Sequence, residues 1–184
     1  MPLIEAVLAQ VSDRHAKLRL LELGVGSGCL LLTLLAELPN AKGLGVDISP
    51  AALAVAKENA RMLGLADRCQ LIEGDWLQAV SGRYDIIISN PPYIPSADIG
   101  GLEPEVSRYE PILALDGGTD GLEFYRRLAR DIDRVLAPGG LAALEVGAGQ
   151  AAEVAALLKS SGLQGLESRC DLAGIERCLL AKKS

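Results

Sequence analysis

Short apolar runs alternate along the chain with longer stretches whose apolar positions recur at helical spacing, the pattern of a parallel sheet covered by helices. Leu18 to Leu23 reads as the first strand, apolar as a strand buried on both faces should be. A glycine-rich turn leads into a helix from about Gly28 to Leu38, stopped by Pro39. Gly43 to Val46 makes a second strand ending at Asp47. Ser49 is suited to cap the next helix, with Pro50 at its first position and an end near Leu63–Gly64. Cys69 to Glu73 and Tyr84 to Ser89 read as the third and fourth strands. The pattern then breaks from Asn90 to Thr119, where five prolines and four glycines mark an irregular stretch of the kind that forms functional loops or lids. It resumes with a helix from about Gly121 to Leu136, the turn Pro138-Gly139-Gly140, and a strand from Leu141 to Val146. A helix from about Gln150 to Ser161 follows, then two strands near Leu166–Cys170 and Glu176–Ala181, spaced for an antiparallel hairpin.

These elements predict one α/β domain spanning residues 1–184: a doubly wound, seven-stranded, mostly parallel sheet closed by an antiparallel hairpin. No internal repeat or interdomain linker interrupts it. Ligands of such sheets bind beyond the carboxyl ends of the strands, where the strand order reverses. The residues just after the first four strands are therefore the candidates.

Composition narrows the chemistry. His15, the one histidine, lies in a charged stretch and reads as a surface residue; a catalytic triad would have nothing else to use. Cys29, Cys69, Cys170 and Cys178 form no CxxC pair, so no structural metal site is expected. Cys170 and Cys178 are read as buried small hydrophobes in preference to a disulfide. Scattered thiols, no apolar run near the roughly 20 residues of a membrane span and no signal-peptide pattern point to a cytoplasmic protein without a membrane partner. Acidic residues outnumber basic ones 24 to 18, for a formal net charge of -6, which weighs against nucleic acid as a direct substrate.

The strand ends supply the chemistry. After the first come Glu22-Leu23-Gly24-Val25-Gly26-Ser27-Gly28, where glycines let the backbone approach a ligand and a helix start offers N–H groups. The dinucleotide fingerprint GxGxxG fails at Cys29. After the second, Asp47 lies 19 residues beyond Gly28, placed to accept ribose hydroxyls, or alternatively to help cap the following helix. After the third, Gly74-Asp75-Trp76 offers a carboxylate for an adenine amine and the single tryptophan to pack on the base. Together these suit an adenosyl ligand. The fourth strand ends in Ser89-Asn90-Pro91-Pro92-Tyr93: two prolines stiffen the turn and remove two N–H donors, leaving carbonyls, the Asn90 oxygen and the Tyr93 ring to hold a planar NH2 group. The electrophile compatible with adenosine at one end and such an amine at the other is S-adenosylmethionine. Acceptors aligned with positive charge developing on the nitrogen would lower the barrier without a metal or a dedicated base.

The chain resembles the class I S-adenosylmethionine-dependent methyltransferases, specifically the glutamine amide methyltransferases of peptide chain release factors (the PrmC/HemK group). Asn-Pro-Pro-Tyr alone is shared with adenine-amine methyltransferases. More specific are Gly74-Asp75-Trp76, Asn90 to Pro95, Leu102 to Val106 with Tyr109 to Pro111, Ala114 to Leu122, and Asp171-Leu-Ala-Gly174. The resemblance implies that Glu22 and Gly24 to Gly28 line the methionine part of the cofactor, Asp47 the ribose, and Asp75 with Trp76 the adenine. It assigns Asn90, Pro91, Pro92 and Tyr93 to the substrate glutamine of a Gly-Gly-Gln loop, with Asn90 also near the cofactor. Asn90, Pro91 and Tyr93 are the candidate catalytic residues, and Glu103, Glu105 and Glu110 candidate lid residues. The family usually has Asp where this chain has Glu22. It also carries an amino-terminal helical domain before the point matched by Met1-Pro2-Leu3-Ile4-Glu5, so these residues are expected to bind cofactor but to methylate intact release factor poorly. The alternatives are an adenine-amine methyltransferase of DNA or RNA and a catalytically weak cofactor-binding module; a NAD-dependent oxidoreductase fits least.

Overall fold

The computed structural model describes residues 2–102 and 111–184. Its elements are α1 (Pro2–Gln10), β1 (Arg19–Leu23), α2 (Cys29–Glu37), β2 (Lys42–Asp47), α3 (Pro50–Met62), β3 (Cys69–Glu73), β4 (Tyr84–Ser89), a single-turn α4 (Ile112–Leu115), α5 (Glu123–Val135), β5 (Leu136–Glu145), α6 (Ala151–Ser160), β6 (Leu163–Cys170) and β7 (Glu176–Lys183). Three short 3-10 turns, Ala66–Arg68, Trp76–Ala79 and Ile99–Gly101, complete it. The sheet runs β3-β2-β1-β4-β5-β7-β6, parallel except for β7, which is antiparallel to both neighbours. This is the doubly wound sheet with a terminal hairpin expected from the sequence.

Alternation along each strand divides the core in two. Leu21, Leu23, Ile87, Ala142 and Leu144 face α5 and α6, while Leu20, Ile86, Ile88, Leu141 and Ala143 face α1 and α2. Glu22 is the polar exception on the α2 face and is 2% exposed. The α3 cap forms as expected, Ser49 Oγ accepting from the Ala52 N–H at 3.2 Å with Pro50 leading the helix.

Four expectations change. Residues 2–10, not foreseen as a helix, form α1, which buries Leu3, Ile4, Ala6 and Val7. The turn Pro138-Gly139-Gly140 lies inside β5, because Leu136 already pairs with Tyr84 and the register shifts before Ile86 meets Leu141. The hairpin strands are longer than expected, starting at Leu163 and ending at Lys183. Finally, Cys178 is buried but Cys170 is exposed, and Cys178 pairs with Arg169, so the two cysteines are not cross-strand partners. Cys29 is also exposed, and His15 lies at the surface. Among the described residues no helix is long and apolar enough to cross a membrane.

Candidate active site

Strand register brings the four candidate ends to one level. Leu23 pairs with Val46 on one side and Ser89 on the other, and Asp47 pairs with Glu73. Residues after β3, β2, β1 and β4 therefore emerge side by side, each about 4.8 Å from the next. The chain diverges between β1 and β4, where the strand order reverses.

The turn after β1 is held from every side. Gly24 and Val25 N–H groups donate to the Val46 carbonyl at 2.9 and 3.0 Å. Asp47 Oδ2 accepts from the Gly26 N–H at 2.8 Å and Oδ1 from the Ser49 N–H at 2.9 Å, so Asp47 supports both the turn and the start of α3. Asn59 Nδ2 donates to the Ser27 carbonyl at 2.9 Å. Gly28 has φ +83°, a conformation that favours glycine, and a Cβ there would also crowd Leu32 at 3.0 Å. Beneath it Glu22 accepts from the Leu31 N–H of α2 at 2.9 Å, satisfying one orphan donor of the helix start. Burial holds the Glu22 carboxyl well above the ordinary range, against the lowering effect of that hydrogen bond, and Asp47 pushes it the same way as burial.

After β3 the half-buried Trp76 is the one non-glycine residue with positive φ (50°) among those described. Its ring lies 4.5 Å from Phe124, centre to centre, and a Cβ at Gly24 would stand 3.3 Å from it. Asp75 is ion-paired with Arg127 of α5 at 2.7 Å, a partner the sequence did not suggest. Ile48, directly after Asp47, keeps 51% of its surface exposed at the same level.

After β4, Ser89 Oγ donates to the Leu23 carbonyl at 2.7 Å and ties the exit of β4 to that of β1. Asn90 is exposed, Pro91 buried, and Pro92 and Tyr93 half-buried. Further along, Ile94 N–H donates to Leu115 O at 3.0 Å and Gly117 N–H to Ile94 O at 2.9 Å, joining the turn to residues 115–117. Gln150 Nε2 donates to the Tyr93 carbonyl at 2.9 Å. Burial raises the Tyr93 phenol, as does Glu145, while Arg177 lowers it. Burial likewise raises Glu145, with Arg177 lowering it. The structure thus gathers Gly24 to Gly28, Asp47, Asp75, Trp76 and Asn90 to Tyr93 at one end of the sheet. Glu103, Glu105 and Glu110 lie outside the described residues. Sequence reasoning did not single out Arg127, Phe124, Ile48 or Gln150, and took Gly117 and Gly121 only as part of the irregular stretch and the motif Ala114 to Leu122. Ile48 carried a signal, an apolar residue next to a ligand-type acid; Gln150 carried none, since its contact spans 57 positions.

An adenosyl cofactor needs open space over the glycine turn, a carboxylate for its ribose and apolar surface for its base. A Cβ at Gly26 would meet nothing within 4 Å, so the space over the turn is open. The Asp47 carboxylate is bonded to that turn, the next residue, Ile48, is exposed, and the half-buried Trp76 ring lies against Gly24. The residues fit.

The family model of the methyltransferase small domain matches residues 5–100. A release factor glutamine methyltransferase of Rhodospirillum rubrum is 55% identical over 181 residues, which cover 98% of this chain and 55% of that protein. One from Caulobacter vibrioides is 51% identical over 171 residues, 92% of this chain and 59% of that protein. The chain thus spans little more than half the length of these relatives. A methyltransferase from Pyrococcus furiosus superposes with a TM-score of 0.72 at 18% identity, covering all of this chain and 84% of the other, a likeness of fold. Matched by the family model over more than half its residues, and sharing its fold with the Pyrococcus furiosus methyltransferase, the chain belongs to the methyltransferase small domain family.

Proposed function

We propose that this chain is a catalytic domain that transfers a methyl group from S-adenosylmethionine to the side-chain amide nitrogen of a protein glutamine, in the Gly-Gly-Gln loop of a peptide chain release factor. The observation that carries the reaction type is the Asn90–Tyr93 turn, fastened by Ser89 beside the glycine turn at the reversal of strand order. The substrate class is supported by the release factor glutamine methyltransferases, 55% and 51% identical, that align with almost all of the chain.

Gly24, Val25, Gly26, Ser27 and Gly28 would hold the methionine end of the cofactor, supported from below by Glu22. Asp47 would accept from the ribose hydroxyls through lone pairs left free by Gly26 and Ser49. Ile48 and Trp76 would flank the adenine, with Asp75 beside it. When bound, S-adenosylmethionine supplies a methyl group activated by a sulfonium centre.

The chain's own work is on the amide. A glutamine NH2 is a poor nucleophile because its lone pair is delocalised into the carbonyl. Asn90 Oδ1 and the Pro91 carbonyl accept its two N–H bonds, and the Tyr93 ring walls the side chain. Holding both hydrogens on one side turns the lone pair toward the cofactor, and the acceptors stabilise positive charge as it grows on nitrogen. The nitrogen gains the methyl carbon as the carbon–sulfur bond breaks with its electron pair leaving on sulfur, and one N–H proton is released to water.

The test is transfer of label from methyl-labelled S-adenosylmethionine to release factor, Gly-Gly-Gln peptide, tRNA and duplex DNA. Label on the peptide or protein glutamine is expected. Label on nucleic acid with none on protein would overturn the substrate class, and cofactor binding with no transfer to any acceptor would overturn the reaction.

A further inference from the structure

Pro91 and Pro92 deprive the substrate turn of two N–H donors, so its own backbone cannot hold it as a hairpin or helix turn would be held. Its carbonyls remain free to be held by groups elsewhere. Ser89 and Ile94 are anchored on either side, to Leu23 and to residues 115–117. Between them, the carbonyl of Tyr93 accepts from Gln150 Nε2 at 2.9 Å, while Gln150 Oε1 accepts from the Gly147 N–H at 3.0 Å. One carboxamide thus bridges the exits of β4 and β5.

Gln150 occupies the N-cap of α6, where a side chain ordinarily accepts from its own helix; here it makes no capping hydrogen bond. The amide is turned away from α6 and toward the substrate turn. The slot that admits it is made by two glycines. A Cβ at Gly121 would stand 2.3 Å from Tyr93 O and 2.5 Å from Gln150 Nε2. A Cβ at Gly147 would stand 2.6 Å from Gln150 Oε1 and 3.1 Å from the Tyr93 ring. Gly121 also has φ +76°, so a side chain there is strained as well as obstructed.

We propose that Gln150 is a positioning residue for the methyl acceptor: its carboxamide fixes the Tyr93 peptide between β4 and β5 and thereby aims the Asn90–Tyr93 turn at the acceptor nitrogen. The proposal rests on reading that turn as the amide-binding site. It also means that Tyr93 O is engaged with Gln150, leaving Asn90 and Pro91 as the acceptors for the substrate amide.

The test uses the full chain with two variants, assayed well below their melting temperatures. Gln150→Met keeps the length of the side chain and removes its donor and acceptor. It is expected to lower kcat at least tenfold, to leave the dissociation constant for S-adenosylmethionine within twofold, and to accelerate exchange of the Gly147 N–H seen by NMR. Gln150→Glu restores a donor and an acceptor only when the introduced carboxyl is protonated. Its activity relative to wild type is expected to rise as pH falls from 8 to 5.5, whereas that of Gln150→Met stays level. Unchanged Gly147 exchange, kcat within twofold of wild type in Gln150→Met, or a pH-independent ratio for Gln150→Glu would each overturn the proposal. If wild type labels nucleic acid in place of protein, the substrate reading fails, and the same variant ratios, measured on that acceptor, still decide the role of Gln150.

Discussion

Asn90 and Glu22 represent two ways in which a polar side chain serves this domain. Asn90 is exposed at the mouth of the site, where the proposed acceptor amide would bind. Asn90→Ala is expected to lower kcat about a hundredfold, as removal of one preorganised charge-stabilising group does, with little change in cofactor affinity measured by calorimetry. Equal losses of affinity and turnover would make Asn90 a cofactor ligand instead. Glu22 is buried, and its carboxyl pKa lies well above 4.5 because burial disfavours the charged form. Between the unfolded value and the raised folded value the native state holds a proton that the unfolded chain has released, so stability falls as pH rises. Glu22's contribution is full below about pH 4.5 and is lost as pH climbs toward the folded value. In urea unfolding from pH 4.5 to 8, Glu22→Gln should therefore gain stability relative to wild type as pH increases. A gap that does not change with pH would refute this.

At the scale of elements, the residues around α4 brace the chain that leaves the Asn90–Tyr93 turn. Ser96 Oγ and the Gly118 N–H both donate to Asp116 Oδ1, at 2.7 and 2.9 Å, and Ser96 N–H donates to Gly118 O at 2.9 Å. Gly117 sits where this brace touches the turn. A Cβ there would stand 2.8 Å from Gly121 Cα and 2.9 Å from the Pro92 carbonyl, both backbone atoms that yield only if the loop moves. Its φ is not in the left-handed region, so Gly117→Ala tests space alone. The variant is expected to lose about 1–3 kcal/mol of stability in denaturant unfolding and to lose turnover by more than its folded fraction explains. Full activity per folded molecule would show that the brace does not set the turn. In the sequence the brace is visible only as part of the irregular glycine-rich stretch and of the motif Ala114 to Leu122, because the partners of Asp116 and Gly117 are defined by where the chain returns. α1 was missed for a related reason. Its apolar residues Leu3, Ile4 and Val7 have helical spacing, but nine residues are too few for a helix to stand without the sheet they pack on.

At the scale of the molecule, the sheet order turns separate motifs into one site. Residues 24–28, 47, 75–76 and 90–93 are scattered across some seventy positions, and parallel register alone sets them level. The chain spans 55% of the length of the Rhodospirillum rubrum relative. Most of the strands, the capped helix α3, the glycine turn and Asn-Pro-Pro-Tyr were legible because each is written locally, in periodicity, caps and prolines. The hidden features, α1 against the sheet, the Asp75–Arg127 pair, the continuation of β5 through a turn and the Gln150 bridge, depend on residues brought together from distant parts of the chain. By itself the sequence determined the sheet class, the strand exits and the groups carried there, because local propensity and burial periodicity are short-range. Only the tertiary structure decided how those groups are aimed, because hydrogen-bond direction and close approach belong to pairs of residues that the fold, and not the chain order, makes neighbours.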